Sequence, residues 1–357
     1  MGGDAVFLVK EVSKRYGNRT VLDHVSFDIR RGEILGLIGA SGAGKTTLLH
    51  LLVGFVPASA GAIFLREALP AGAMAEHDVL KSSRRVSRLY GFASQVPSFY
   101  ERLTVLENLT YFGHMYDLSK EAIGRNAETL LSIMGLKSSA HLLASHLSGG
   151  MKRRLDIACA LIHDPPILIL DEPTADLDPV LRAHVWDVIK HINARGTTVI
   201  LSSHHLNDLD GLCNRIAILK DGKLAAIATP DALKNTYGRT QEILIETFPG
   251  NYDALTRRLH EERITGIARS GTGLAIRTDS AEAVLTRVMA ALKRQGESLL
   301  DLKLAKPNLD TVFVSIHRSS EPDGIVTGAS TTLSPDLPVE KDPNPSAKPH
   351  GRGGAHR

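Results

Sequence analysis

The nine residues Gly39-Ala40-Ser41-Gly42-Ala43-Gly44-Lys45-Thr46-Thr47 constrain this chain more than any other segment. They stand between a continuous apolar run, Ile34 to Ile38, and the stretch KTTLLHLLVGF, whose apolar residues recur at helical spacing. A short apolar run of that kind suits a strand buried on both faces. The order expected is therefore strand, glycine-rich loop, helix. Glycines let successive backbone N–H groups turn inward and cradle phosphate oxygens, where a Cβ would obstruct them. A helix beginning near Lys45 aims the positive end of its dipole at the same anion. Lys45 is placed to neutralise charge on the β- and γ-phosphates, and the Thr46 hydroxyl to ligate Mg²⁺. Pro57 and Gly61 are expected to end the helix.

A second signal is Ile167-Leu168-Ile169-Leu170-Asp171-Glu172. Four apolar residues predict a central strand, and the two acids fall where it leaves the sheet, the place where α/β sheets hold their ligands. Asp171 is suited to hold Mg²⁺, directly or through water, and Glu172 to polarise an attacking water as general base. By itself such a pair could be a solvated turn; the phosphate loop upstream gives it a catalytic reading. The third signal is Leu147-Ser148-Gly149-Gly150-Met151-Lys152-Arg153-Arg154. Ser148 can cap a helix running to Ile162, with Gly149 and Gly150 exposing its first N–H groups.

Around these motifs the pattern is α/β. Short β-rich segments with a Gly17-Asn18 turn come first, a helical stretch occupies about 96–146, and strand–helix alternation returns with PPILILD, TTVILSS and RIAILKDGKLAAI. That alternation predicts a parallel sheet wrapped by helices. Residues 237–318 read as a small separate α+β unit, and 319–357, rich in Pro, Ser, Thr, Gly and Asp, as a disordered tail. With 357 residues the chain can hold one large domain or two. A net charge of +3 argues against a nucleic-acid partner. Cys159 and Cys213 sit in apolar contexts and read as buried free thiols, and the start MGGDAVFLVKEV lacks the apolar core of a signal peptide. Both features favour a cytosolic setting. No apolar run approaches the roughly 20 residues that span a bilayer, so a membrane process would need another chain for its membrane part.

Phosphate loop, LSGG and LILDEP, in this order and spacing, resemble the nucleotide-binding domain of ABC ATPases over about Val6 to Ala228. The resemblance implies a P-loop NTPase cassette over 5–236, with an N-terminal antiparallel β subdomain, a RecA-like parallel core sheet and the helical insert. It implies ATP and Mg²⁺ as ligands. Tyr16 takes the place of the aromatic residue that stacks on adenine. Gln95, in GFASQ, resembles the Q-loop glutamine, which contacts Mg²⁺ or its water and senses the transporter. Ala175-Asp176-Leu177-Asp178 matches the D-loop, and His204 the switch histidine at the γ-phosphate, in preference to His205. Ser148, Gly149 and Gly150 would face the ATP held by another copy's phosphate loop, so two cassettes, as a homodimer, make the working unit. Met151 departs from the family's usual glutamine, and Asp176 from its usual small residue.

LSGGM, together with Pro307-Asn308-Leu309-Asp310-Thr311-Val312-Phe313, resembles the ATPase subunits of ABC-2-type exporters. These subunits power a separate multi-span permease from the cytoplasmic side of the cell membrane. A non-transport ABC ATPase and an importer ATPase are the alternatives. The first usually carries two cassettes or a long coiled-coil insert, and this chain has neither. LSGGM and PNLDTVF speak against the second.

Overall fold

A computed structural model describes residues 5–68, 74–175, 177–204, 206–237, 241–259, 264–278, 280–305 and 308–318. The tail expected over 319–357, together with Asp176, His205 and Pro307, lies outside the described residues. The chain opens with a hairpin of β1 (Ala5–Tyr16) and β2 (Arg19–Arg30), turning at Gly17 with φ +57°. Next come β3 (Ile34–Gly39), α1 (Lys45–Leu52), β4 (Ala60–Ala68), β5 (Met74–Asp78), the single turn α2 (Ser83–Val86) and β6 (Tyr90–Ala93). Three helices follow, α3 (Val105–Met115), α4 (Lys120–Ile133) and α5 (Gly149–Leu161). The alternation then resumes with β7 (Ile167–Leu170), α6 (Pro179–Ala194), β8 (Thr198–Ser202), α7 (Leu206–Asp210), β9 (Arg215–Lys220), β10 (Lys223–Ala228) and α8 (Pro230–Tyr237). The last stretch holds β11 (Gln241–Phe248), α9 (Tyr252–Arg258), β12 (Ile264–Ser270), β13 (Gly273–Thr278), α10 (Ala281–Gln295), β14 (Ser298–Ala305) and α11 (Leu309–Arg318).

The strands form three sheets. One is antiparallel, in the order β2-β1-β4-β5, and another, β12-β13-β11-β14, is also antiparallel. The third is six-stranded, β10-β9-β3-β8-β7-β6, parallel except at β10, and its β3 is interleaved in sequence with the strands of the first. Its central strands β3, β7 and β8 are apolar over their middles because each feeds two cores. Leu35, Leu37, Ile167, Ile169 and Ile200 pack with α1 and the first antiparallel sheet, whereas Ile38, Leu168, Leu170, Val199 and Leu201 pack with α5 and α6. Successive side chains of a strand point to opposite faces, so strands covered on both sides are apolar over their middles, and the buried polar residues Thr198, Ser202 and Arg215 fall at the ends of β8 and β9.

The helices begin where their caps dictate. Thr104 and Glu107 form a reciprocal capping box on α3, Ser119 caps α4, and Asp178 accepts from Val180 N–H and Leu181 N–H, both at 2.9 Å, with Pro179 in the first turn of α6. Each such cap contributes about 1 kcal/mol. Helix α1 stops at Leu52, ahead of the Pro57 and Gly61 expected to end it. Gly54 adopts φ +73°, and the Phe55 N–H donates back to the His50 carbonyl, which closes the last turn early. At the other end of the chain, α11 places Leu309, Val312 and Ile316 in the same core as α5 and α6, and Lys220 Nζ donates to the Ile316 and His317 carbonyls at its C-terminus. Cys159 and Cys213 are buried free thiols, and burial pushes both up from the usual thiol range.

His163, just after α5, stacks on Tyr116 with ring centroids 3.6 Å apart, and its Nε2 lies 3.2 Å from the Tyr90 carbonyl oxygen. Donation to a carbonyl requires Nε2–H, which leaves Nδ1 as a buried lone pair with no hydrogen-bond partner. Burial holds the imidazole neutral, lowering its pKa from 6.5 to about 4. The unfolded chain takes up this proton near pH ~6.5, whereas the folded chain refuses it until far lower pH. The stability His163 contributes is thus complete above about pH 6.5 and is lost progressively as pH falls toward about 4. In calorimetric melts of His163→Phe, which keeps an aromatic stack and cannot titrate, the midpoint is expected to fall less steeply than the parent's between about pH 6.5 and 5. Parallel slopes would remove the assignment.

Candidate active site at the ends of the parallel strands

Four neighbouring strands of the six-stranded sheet, β3, β8, β7 and β6, run parallel and release the chain at one edge. Gly39 ends β3, Ser202 ends β8, Asp171 and Glu172 follow β7, and Ser94 and Gln95 follow β6. The phosphate-loop, acidic, glutamine and histidine segments, scattered over 166 positions of sequence (residues 39 to 204), converge there. They line a cleft of about 560 Å³ whose walls include Gly39, Ser41, Gly42, Gly44, Lys45, Thr46, Thr47, Gln95, Glu172 and His204.

The loop is shaped for an anion. Gly44, immediately before α1, has φ +102°, and a Cβ there would lie 2.7 Å from Leu22 Cδ2 and 3.0 Å from the Val21 carbonyl oxygen. Gly42 has φ +79°. At Gly39 the constraint is approach: a Cβ would lie 2.7 Å from the Leu219 carbonyl oxygen and 3.0 Å from Ala43 Cβ. Lys45 Nζ curls back over the loop and donates to the Gly39 and Ala40 carbonyls, at 2.9 and 3.3 Å. A cation held over a ring of inward amides at a helix N-terminus is a receptor for phosphate oxygens. Ala40 is exposed and Ala43 buried, so they shape the loop while the glycines, Ser41, Lys45, Thr46 and Thr47 face the cleft.

Glu172 lines the same cleft, and Asp171, immediately before it in the chain, lies outside the lining. Asp171 is buried, 1% exposed, and its Oδ1 accepts a 2.6 Å hydrogen bond from the Ser202 hydroxyl. Ser202 Oγ also accepts from the Glu172 N–H at 2.9 Å. Glu172 adopts φ +51°, an uncommon backbone for a non-glycine residue, and its carboxylate contacts His204 Nδ1. A charge-assisted bond of the Ser202–Asp171 type contributes about 1.5–3 kcal/mol. Ser202 escaped the sequence reading because a serine closing an apolar strand carries no local signal. Its role comes from the β7–β8 pairing that sets Leu170 against Leu201. Arg19 and Val21, which line the cleft from β2 beside the glycine loop, escaped it because only the folded hairpin brings them there.

Other expected residues sit outside the cleft lining of this chain. Tyr16 is 49% exposed at the end of β1, with Lys14 Nζ 4.7 Å from its ring centroid. Ser148 caps α5 by accepting from Met151 N–H, and it and Gly149 are exposed. Gly150 differs from its neighbour: it is buried, and a Cβ there would lie 2.8 Å from Leu181 Cδ1, so its smallness serves helix packing. Asp178 is committed as the cap of α6. The donors offered to a cation near the loop, the Thr46 hydroxyl, the Gln95 amide and the Asp171 carboxylate, are hard oxygen ligands of the kind Mg²⁺ takes.

A comparison with protein families matches residues 22–175 to the ABC transporter family. The linearmycin resistance ATP-binding protein of Bacillus subtilis (strain 168) is 32% identical, over 86% of this chain and 96% of its own length. The chain belongs to the ABC transporter family. The daunorubicin resistance ATP-binding protein of Streptomyces coeruleorubidus is 33% identical over 88% of this chain and 96% of that one. The Nod factor export ATP-binding protein I of Neorhizobium galegae is 35% identical over 86% and 84%. Among solved structures, an ATP-binding subunit of an ABC transporter superposes with a TM-score of 0.58 at 30% identity, covering 65% of this chain and 93% of its own. The ABC fold is thus common to both, and the cleft is that of an ATP-binding, ATP-hydrolysing cassette.

The loop geometry makes a direct prediction. Gly44→Ala sets a Cβ against Leu22 and the Val21 carbonyl from a left-handed backbone, and is expected to weaken ATP binding, measured by equilibrium fluorescence, by about tenfold or more, or ~1.4 kcal/mol. Gly124→Ala, whose Cβ on α4 would meet nothing within 4 Å, should leave affinity unchanged.

Proposed function

We propose that this cassette is the motor of an ABC-2-type membrane exporter, working as a homodimer that clamps two ATP molecules between its copies. The observation that carries the reading is the division of the motifs. Phosphate loop, Glu172, Gln95 and His204 share one cleft, whereas Ser148 and Gly149 stand exposed at the N-terminus of α5, outside its lining. A helix N-terminus turned to solvent with a serine cap is suited to meet phosphate presented by another copy.

In that reading Lys45 and the loop amides bind the phosphates, and Tyr16 stacks on the adenine from the end of β1. Asp171 and Thr46, with Gln95 beside them, would hold Mg²⁺, which supplies charge neutralisation at the phosphates. Glu172 takes the proton of the attacking water. His204 orients the γ-phosphate end of the cleft and, through its contact with Glu172, the base. Asp178 fixes the start of α6 behind the D-loop. Loss of the bridging γ-phosphate removes the charge that holds the copies together, and the dimer opens.

The transport assignment draws on the relatives, whose names speak of drug resistance and Nod factor export. Among the described residues no helix is long and apolar enough to cross a membrane, so a separate multi-span permease would supply the path. Val96, Tyr100, Tyr111 and Met115, exposed beside Gln95 and on α3, offer that partner an apolar landing surface next to the nucleotide. Residues 5–236 would form the cassette, with 96–146 as the element that meets the permease at the cytoplasmic face of the inner membrane. Residues 237–318 would serve as an accessory domain.

Glu172→Gln tests the base assignment. It keeps the shape of the side chain and loses the proton acceptor, so turnover is expected to fall by about 10²-fold or more while ATP affinity changes little. Undiminished phosphate release would refute the assignment.

A further inference from the structure

The segment that bears Asp171 and Glu172 is held from behind by a buried arginine outside the cleft lining. Arg153 lies on α5, just past the Ser148 cap, and is 7% exposed. Its Nη2 donates to the Asp171 carbonyl at 2.8 Å and its Nε to the Pro173 carbonyl at 2.9 Å. These carbonyls flank Glu172 on both sides. Its Nη1 donates to the Ser94 carbonyl at 2.6 Å, directly before Gln95, and lies 3.3 Å from Asp156 Oδ2. Asp156, 1% exposed, in turn accepts from both the N–H and the hydroxyl of Ser98, at 2.9 and 3.0 Å, on the far side of Gln95.

One guanidinium thus joins three segments: the strand end that bears Glu172, the loop that bears Gln95, and the helix headed by Ser148. The peptide it brackets is the one in the left-handed region, with φ +51° at Glu172. Such a backbone persists only where its surroundings over-determine it, and here Ser202 holds the N–H while Arg153 holds the carbonyls before and after. The three carbonyls are met by three different nitrogens, Nε, Nη1 and Nη2, a fixed spread of donors that the single nitrogen of a lysine does not offer. Burial draws the guanidinium below its usual pKa, and Asp156, Asp171 and Glu172 counter that effect.

We propose that Arg153 is a positioning residue for hydrolysis, fixing the peptide of Glu172 so that its carboxylate faces the attacking water, and locking that peptide to the Gln95 loop and the Ser148 helix so that the three move as one. The proposal rests on Glu172 being the base. It also gives α5 a second task within its own copy, beyond the contact its N-terminus makes with the neighbour's nucleotide.

The test uses the full-length chain with ATP and Mg²⁺. Arg153→Met paired with Asp156→Asn removes both members of the buried ion pair, so no lone charge is left behind. Arg153→Lys keeps the charge and loses the fork. For both, kcat is expected to fall by about 10²-fold, the scale of a misplaced catalytic group. The KM for ATP should stay within a few-fold and the melting midpoint should still report a cooperative fold. A kcat near the parent's in either variant would overturn the proposal, reducing Arg153 to a counter-charge for Asp156. A parallel loss of kcat and ATP affinity would overturn it too, since that marks collapse of the cleft. Glu172→Gln run alongside separates the claims. Parental turnover there removes the base assignment and this inference with it, whereas a dead Glu172→Gln beside a fully active Arg153→Lys removes this inference alone.

Discussion

The burial of both faces of the parallel sheet governs where everything else can be. Because Ile167 and Ile169 enter one core while Leu168 and Leu170 enter the other, β7 has no side on which to carry a charged residue. Polar chemistry is pushed to the strand ends, where the chain first meets solvent. Parallel pairing then sets four of those ends side by side. A phosphate loop, two acids, a glutamine and a histidine become neighbours through strand order, without any of them being near another in sequence.

The cleft that results is divided by charge. Lys45 and the start of α1 bring positive charge to the cleft and Glu172 lines it with negative charge, while Asp171 lies buried beside Glu172, outside the lining. Lys45, in the structure, satisfies itself on the carbonyls of its own loop, a bond that a phosphate can replace without leaving the amine stranded. The acids are pinned more firmly, by Ser202 and by the fork of Arg153. The acidic segment is thereby fixed in place, the kind of preorganisation on which electrostatic stabilisation of charge relies.

Much of this was legible in residue order. Gly39–Thr47 declared its strand–loop–helix context, and the run before Asp171 declared a central strand, because both signals are local and tied to backbone chemistry. The caps Ser148 and Asp178 were equally readable as positions, although Asp178 was first met as part of a loop motif and proves to cap α6. What escaped was whatever depends on pairing across the sheet or on burial of a charge. Ser202 looked like a strand's last residue and Arg153 like one of several surface cations in MKRRL; only tertiary structure turns them toward the acids. The early end of α1 was hidden for another reason, since Gly54 outranks the more conspicuous Pro57 when it takes a left-handed backbone. That α11 returns to pack with α7 and α8 left no trace beyond its own apolar spacing.

The central claim is that a nucleotide is completed by two copies of the chain. Light scattering of the hydrolysis-deficient Glu172→Gln chain, with ATP and Mg²⁺ and then with Ser148→Arg added, addresses it most directly. The account predicts a doubling of mass on adding ATP and its loss when Ser148→Arg is added, with nucleotide affinity of the single copy retained. A chain that stays monomeric with ATP bound, or a dimer indifferent to Ser148→Arg, would contradict it.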